Sequence, residues 1–229
     1  MSEEISMRPI GWVESCFGEK FGTPRQSGIV PEARGRVVFS DEVPSDASRG
    51  LEEFSHIWIV FLFDQVKEDE VRWFVRPPRL GGNYKKGVLA TRSPFRPNRI
   101  GLSLVALESV SKGALEVSGL DLVEGTPVLD IKPYLPYAES LREAEGGFAK
   151  EAPEPLAVEF CDEAKVGLSE ETMALIARVL AIDPRPAFHN DGERIYGCQL
   201  AGVNVKWQVK GGRVLVLSQE SLSSSQNIV

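Results

Sequence analysis

The sequence predicts a mainly β fold, an antiparallel β-barrel or an open sandwich, followed by a small α+β unit. Three observations carry this. Short segments rich in β-branched and aromatic residues recur between turn formers through the first two-thirds of the 229 residues. The sequence has neither the regular crossover helices of a doubly wound sheet nor a G-x-G-x-x-G after a strand. A clear amphipathic helix comes only late, after a stretch rich in Gly, Pro and Glu.

Taken in order, Ile10 to Val13 is a short apolar strand, and Gly35 to Ser40 a second. Ser45 to Phe54 reads as one short helix, interrupted by Gly50. His56 to Phe63 is a continuous apolar run, the pattern of a strand covered on both faces. Leu102 to Val110, a Lys112-Gly113 turn and Ala114 to Leu120 form a hairpin. Val128 to Ile131 is a further strand. Residues 1–145 make the barrel domain, 146–155 a linker within the polar stretch Glu143 to Pro155, and 156–229 the small α+β domain.

The last domain opens with a strand, Leu156 to Cys161. Ser169 then caps a helix whose first turn carries Glu170 and Glu171. Leu168 and Met173 stand at staple spacing, Leu175, Ile176, Val179 and Leu180 form the buried stripe, and Pro184 ends the helix. Strands over Ile195 to Leu200, Val203 to Val209 and Val214 to Leu217 follow. The Ser-rich tail from Glu220 reads as frayed.

Composition narrows the function. No apolar run reaches the length of a membrane span, and the acidic start has no signal-peptide core, so a cytoplasmic protein with no membrane partner is expected. Cys16, Cys161 and Cys198 are odd in number and far apart, and there are two histidines, His56 and His189. Neither a disulfide framework nor a zinc site is expected, and no metal is assigned. The formal net charge is −7, yet Val71 to Leu107 contains no Asp or Glu. That stretch carries Arg72, Arg76, Arg79, Lys85, Lys86, Arg92, Arg96 and Arg99. An acidic protein with one basic face suits an anionic ligand or an RNA contact.

Four stretches combine prolines and glycines with polar groups that a core does not want: Lys20 to Gly28, Arg76 to Asn83, Arg92 to Gly101 and Asp121 to Tyr134. Rigid loops gathered on a scaffold are where sites are built. The segments PRQSGIV, LEEFSHIWIVFLFDQ, RPPRLGG, ATRSPFRPNRIG, LDLVEGTPVLDIKPYLPYAES and DPRPAF together resemble the TsaA/TrmO family over nearly the whole chain.

That resemblance implies a β-barrel tRNA methyltransferase that uses S-adenosyl-L-methionine and works as a homodimer. The implied reaction methylates N6 of N6-threonylcarbamoyladenosine at position 37, in the tRNA anticodon arm. By the same resemblance Pro24, Arg25, Gln26, Asp64, Gln65, Arg92, Leu102, Pro127, Val128, Leu129 and Asp130 line the cofactor site. Their chemistry suits it: Arg25 or Arg92 for the methionine carboxylate, Gln26 and Gln65 for adenine or ribose edges, Asp64 or Asp130 for the sulfonium or a ribose hydroxyl. Asp130 is alternatively a loop cap.

Arg76, Arg79, Lys85, Lys86, Arg96 and Arg99 are the candidates for phosphates and the threonyl carboxylate. Phe95, Tyr134 and Tyr137 are the candidates to stack on the target base, and each is alternatively core. Asp130 and His56 are the candidate bases, His56 being alternatively structural. The family pattern R-P-N-P-I-G reads Arg96-Pro-Asn-Arg-Ile-Gly101 here, where Arg99 loosens the turn and adds charge. Other functions open to the sequence are a non-catalytic barrel that binds S-adenosylmethionine or RNA, and methylation of another RNA nucleotide on the same scaffold.

Overall fold

The computed structural model describes residues 5–77, 84–185 and 191–222. Arg79 and His189, and the second half of the DPRPAF segment, lie outside the described residues. Six strands close into an antiparallel barrel: β1 (Gly11–Ser15), β2 (Arg34–Phe39), β3 (His56–Leu62), β6 (Ile100–Ser111), β7 (Ala114–Ser118) and β8 (Pro127–Pro133). Their order around the wall is β1-β2-β7-β6-β3-β8. Two short strands, β4 (Phe74–Val75) and β5 (Lys86–Gly87), pair as a separate ribbon between β3 and β6. α1 (Pro136–Glu139) follows the barrel.

Alternation fills the barrel. Ile57, Ile59 and Phe61 of β3 point inward and meet Val13, Val37, Val105, Leu115, Val117 and Val128. Closure satisfies every edge. Gly101 marks the tightest contact: a Cβ there would lie 2.1 Å from the Phe61 ring. The glycine that ends the Arg92–Gly101 segment is thus a packing requirement.

Two expectations need correction. Ser45 to Phe54 is not a helix; only a 3₁₀ turn forms at Leu51–Glu53, because Gly50 adopts a left-handed φ of 92° that an α-helix does not allow. β3 is covered on one face only. Trp58, Val60 and Leu62 point outward and are half-buried, so the apolar run lines an outer wall.

The second unit is a four-stranded sheet, ordered β10-β11-β12-β9, with two helices. Its strands are β9 (Ala157–Phe160), β10 (Tyr196–Leu200), β11 (Val203–Lys210) and β12 (Arg213–Ser221); its helices are α2 (Asp162–Lys165) and α3 (Glu170–Ala181). α3 forms as its sequence dictates: Ser169 Oγ accepts from the Thr172 amide at 3.1 Å, and Leu175, Ile176, Val179 and Leu180 are buried. β12 runs to Ser221, so the tail is ordered further than expected.

The core of this unit reaches into the barrel domain. Phe17, Val30 and Ala33, all from the long β1–β2 loop, are buried in it, with Phe21 packed alongside. Phe21 lies parallel to Trp207 at 6.3 Å, and Phe17 makes a β-bridge to Leu200. Arg178 of α3 pairs with Glu32 of the loop. One loop, joining two barrel strands, therefore lies in the core of the second unit and clamps the two units together.

Candidate functional site

Strand direction decides which of the four polar stretches meet. β3 ends at Leu62 where β6 begins at Ile100, and the antiparallel β8 begins at that same end with Pro127. β1 also finishes there, at Ser15, whose hydroxyl donates to the Leu122 carbonyl at 2.7 Å. The Lys20–Gly28 loop, the Asp64-Gln65 turn, the Arg92–Gly101 segment and Asp121 to Asp130 are thus gathered at one end of the barrel.

Side-chain contacts join them. Arg92 Nη1 donates to Gln26 Oε1, linking the first loop to the third. Lys20 Nζ donates to the Gln65 carbonyl at 3.2 Å, linking the first loop to the β3 exit. Ser27 Oγ accepts from the Leu104 amide, and the Gly28 amide donates to the Gly119 carbonyl at 2.8 Å. β6–β7 pairing stops at Ala106 and Ser118, and residues 27–28 fill the seam beyond it. Pro24 is buried under this loop, and the Arg25 guanidinium donates to the Arg185 carbonyl of the second unit.

Leu102 and Asp130 both pair directly with Val60, so the three side chains form a row on the outer wall. Leu102 is 51% exposed, an apolar surface near the start of β6 at this same end of the barrel. A register shift between Val60 and Phe61 leaves Leu129 without a pairing partner, while Val128 points into the core. Asp130 lies within β8 and not in a loop; its carboxylate meets Lys132 Nζ at 2.7 Å and accepts from the Ile131 amide.

Other sequence candidates fall elsewhere. His56 opens β3, four residues from Val60 and so about 13 Å along the strand. It is exposed, touches Ser55 Oγ at 2.9 Å and meets the Tyr134 ring edge-on. Tyr137, 89% exposed, follows Tyr134 at that far end. Phe95 is half-buried with the Arg72 guanidinium 3.9 Å above its ring. Arg96 donates to the Thr91 carbonyl. Lys86 lies over Phe148, while Arg76 and Lys85 are exposed.

Arg99 is turned inward. It donates to the Val66 carbonyl and pairs with Glu68, both at 2.7 Å, and its φ of 49° is one that proline does not adopt. Arg99 therefore fastens the turn that it was expected to loosen.

Several residues escaped sequence reading. Ser27, Ser103 and Asp121 form a polar group behind Arg92: Ser103, 1% exposed, donates to Asp121 Oδ1 at 2.6 Å. Burial pushes the Asp121 carboxyl up to about 6, against the lowering effects of Ser103, the Ser27 amide and Arg92. A Ser in a strand, next to the predicted site residue Leu102, was the available signal. On the ribbon, Trp73, Phe74 and Tyr84 are more than 60% exposed between basic residues. Two-residue strands leave no periodic trace, so nothing in the sequence singled these aromatics out.

Two open hollows lie away from this cluster, one of about 450 Å³ beside Ser48 and Lys112 and one of about 510 Å³ at Ser140 to Ala144. Among the described residues no three His, Cys, Asp or Glu side chains gather to hold a metal, and no helix is long and apolar enough to cross a membrane.

The donor set fits S-adenosylmethionine. Guanidinium groups suit its carboxylate, the carboxylates suit its cationic groups, and the exposed Leu102 suits the flat adenine. A closed antiparallel barrel with this loop-built end sets the chain outside the Rossmann architecture. The chain belongs to the tRNA-methyltransferase O family, whose methyl donor is S-adenosylmethionine. Residues 12–140 match the model of the tRNA-methyltransferase O N-terminal domain, and residues 153–221 the TrmO C-terminal domain.

A tRNA (adenine(37)-N6)-methyltransferase of Escherichia coli is 47% identical over 214 residues, covering 87% of this chain and 91% of that protein. An S-adenosyl-L-methionine-binding protein of Archaeoglobus fulgidus is 37% identical over 140 residues, covering 61% of this chain and 96% of that one. A crystal structure of TrmO superposes with a TM-score of 0.81 at 38% identity, covering 96% of this chain and all of the other.

Proposed function

We propose that the protein transfers a methyl group from S-adenosylmethionine to N6 of N6-threonylcarbamoyladenosine at position 37 of tRNA. The observation that carries this reading is the Gln26–Arg92 contact at the loop-built end of the barrel, the end where β6 starts, near its exposed Leu102, and where the acid-free basic segment also begins. The cofactor, when bound, supplies an electrophilic methyl. The chain's work is then to hold and orient the two reactants.

Arg92, with Arg25, receives the methionine carboxylate; Gln26 and Gln65 face polar edges of the nucleoside half; Leu102 carries the adenine. Asp64 and Asp130 answer the positive charge. The acceptor nitrogen carries one proton, which must leave as the N–C bond forms. Asp130 stands in the Leu102 row and is the better placed of the two candidate bases; His56 stands at the other end of the wall. The order of roles is tested by Asp130→Asn. Loss of the base lowers kcat about 10²-fold or more with the S-adenosylmethionine KM little changed, whereas a binding role raises that KM.

Arg76, Arg79, Lys85, Lys86 and Arg96 supply the phosphate-facing charge, and Trp73, Phe74 and Tyr84 join Phe95 as stacking surfaces. Arg76→Ala and Lys85→Ala should weaken tRNA binding and flatten its salt dependence, leaving cofactor affinity intact. Residues 1–145 are taken as the catalytic domain, 146–155 as the linker and 156–229 as the accessory domain. The working form is a homodimer in the cytoplasm: the cofactor row lies on an open wall with Leu102 exposed, as expected if a second copy covers it. Labelled methyl transfer onto tRNA with and without the threonylcarbamoyl group tests the substrate. Incorporation that depends on that group is expected. Equal incorporation points to another nucleotide, and none, with cofactor bound, to a binding module.

A further inference from the structure

Asp121 follows β7 at the loop-built end of the barrel, and no role assigned above uses it. The residue is half-buried, and its carboxyl accepts from the fully buried Ser103 hydroxyl at 2.6 Å. No ion pair within 4.0 Å relieves it among the described residues. Such a group costs the fold free energy, because neither a hydroxyl nor an amide replaces the hydration of a carboxylate. A valine or leucine would fill the place without that cost.

Among the described residues the cation that acts on Asp121 is Arg92, through the field between them. Arg92 in turn donates to Gln26, and the hydroxyl of Ser27, next to Gln26, accepts from the Leu104 amide, one residue on from the Ser103 that holds Asp121. Asp121 is therefore linked to both parts of the Gln26–Arg92 contact, to the loop through Ser103, Leu104 and Ser27 and to Arg92 through its field. A carboxylate behind a guanidinium, with a second carboxylate arriving in front, is a favourable alternation of charge. It also removes the choice of directions that a long, exposed arginine otherwise has.

We propose that Asp121 is the positioning residue of the cofactor site: its carboxylate aims the Arg92 guanidinium, and through Ser27 the Gln26 loop, at the carboxylate of S-adenosylmethionine. This rests on the assignment of Arg92 to that carboxylate. The role carries a signature that a purely structural role does not. Removing the charge should weaken cofactor binding while leaving the fold as stable or more so.

The test is Asp121→Asn in the full chain, which keeps the size and an acceptor for Ser103. Calorimetric titration with S-adenosylmethionine should give a Kd about tenfold weaker, the loss expected when one charge-assisted contact is misdirected. In steady-state kinetics KM for the cofactor should rise by a similar factor, with kcat at saturation within about twofold of the parent. The melting temperature at pH 8 should be equal or higher. Unchanged cofactor affinity overturns the proposal. So does a parallel fall of affinity and melting temperature, which marks a structural residue.

Arg92→Met separates the two levels. If it binds cofactor like the parent, the assignment of Arg92 itself is wrong and the proposal falls with it. If it binds weakly while Asp121→Asn does not, only the role of Asp121 is wrong. In the Arg92→Met background Asp121→Asn should have no further effect on Kd, and additive losses would contradict the coupling.

Discussion

Arg99 shows how one side chain can replace a backbone constraint. A proline at this position would fix φ near −65° and remove an amide; Arg99 instead adopts φ 49°, donates its amide to the Arg96 carbonyl and satisfies the buried Val66 carbonyl with its guanidinium. Arg99→Ala should cost about 1–3 kcal/mol, because an acceptor is left unsatisfied at a strained position, and lower the melting temperature by several degrees in a thermal scan. Asp121 carries the pH dependence. Its folded-state pKa of about 6 lies above the ordinary 3.8, so between these values the unfolded chain has released a proton that the folded chain keeps. Its contribution to stability therefore declines as pH rises from about 4 to 6 and stays lower above. Denaturant titrations of parent and Asp121→Asn across that window should show the variant gaining relative stability with pH. Cys16 and Cys198, both pushed up to about 11 by burial, should resist thiol reagents at pH 8 until denaturant is added.

Among the elements, α3 was legible down to its cap and its stripe, since every signal that defines it is local. Ser169→Ala should cost about 1 kcal/mol, measurable by denaturant titration. The barrel strands were legible as segments because alternation is a property of neighbours in sequence. Their faces were not. The run His56 to Phe63 looks buried throughout, yet only its inward residues are covered, because an apolar outer wall has the same composition as a core. The helix read over 45–54 fails at Gly50 for a reason the sequence held, although propensity outvoted it. Of the site, the loops and Arg92 were visible as charge and turn chemistry. Asp121 and Ser103 were not, because their significance arises from burial and from a contact between residues 18 apart.

At the scale of the whole molecule, the β1–β2 loop carries both Gln26 and the anchors Phe17, Val30 and Ala33 that are buried in the second unit. The two units should therefore unfold together. Phe17→Ala, at about 3–5 kcal/mol, should separate the calorimetric transition into two and loosen the cofactor loop with it. Val71 to Leu107 holds eight Lys and Arg and no Asp or Glu, and a basic stretch of this kind is what would let a chain of net charge −7 receive the RNA proposed for it. The central claim concerns the product. Nucleoside mass spectrometry on tRNA that carries N6-threonylcarbamoyladenosine, incubated with the purified protein and S-adenosylmethionine, should reveal that nucleoside heavier by one methyl group at position 37. A methyl on any other nucleoside, or no methylated product from protein shown to bind the cofactor, would contradict it.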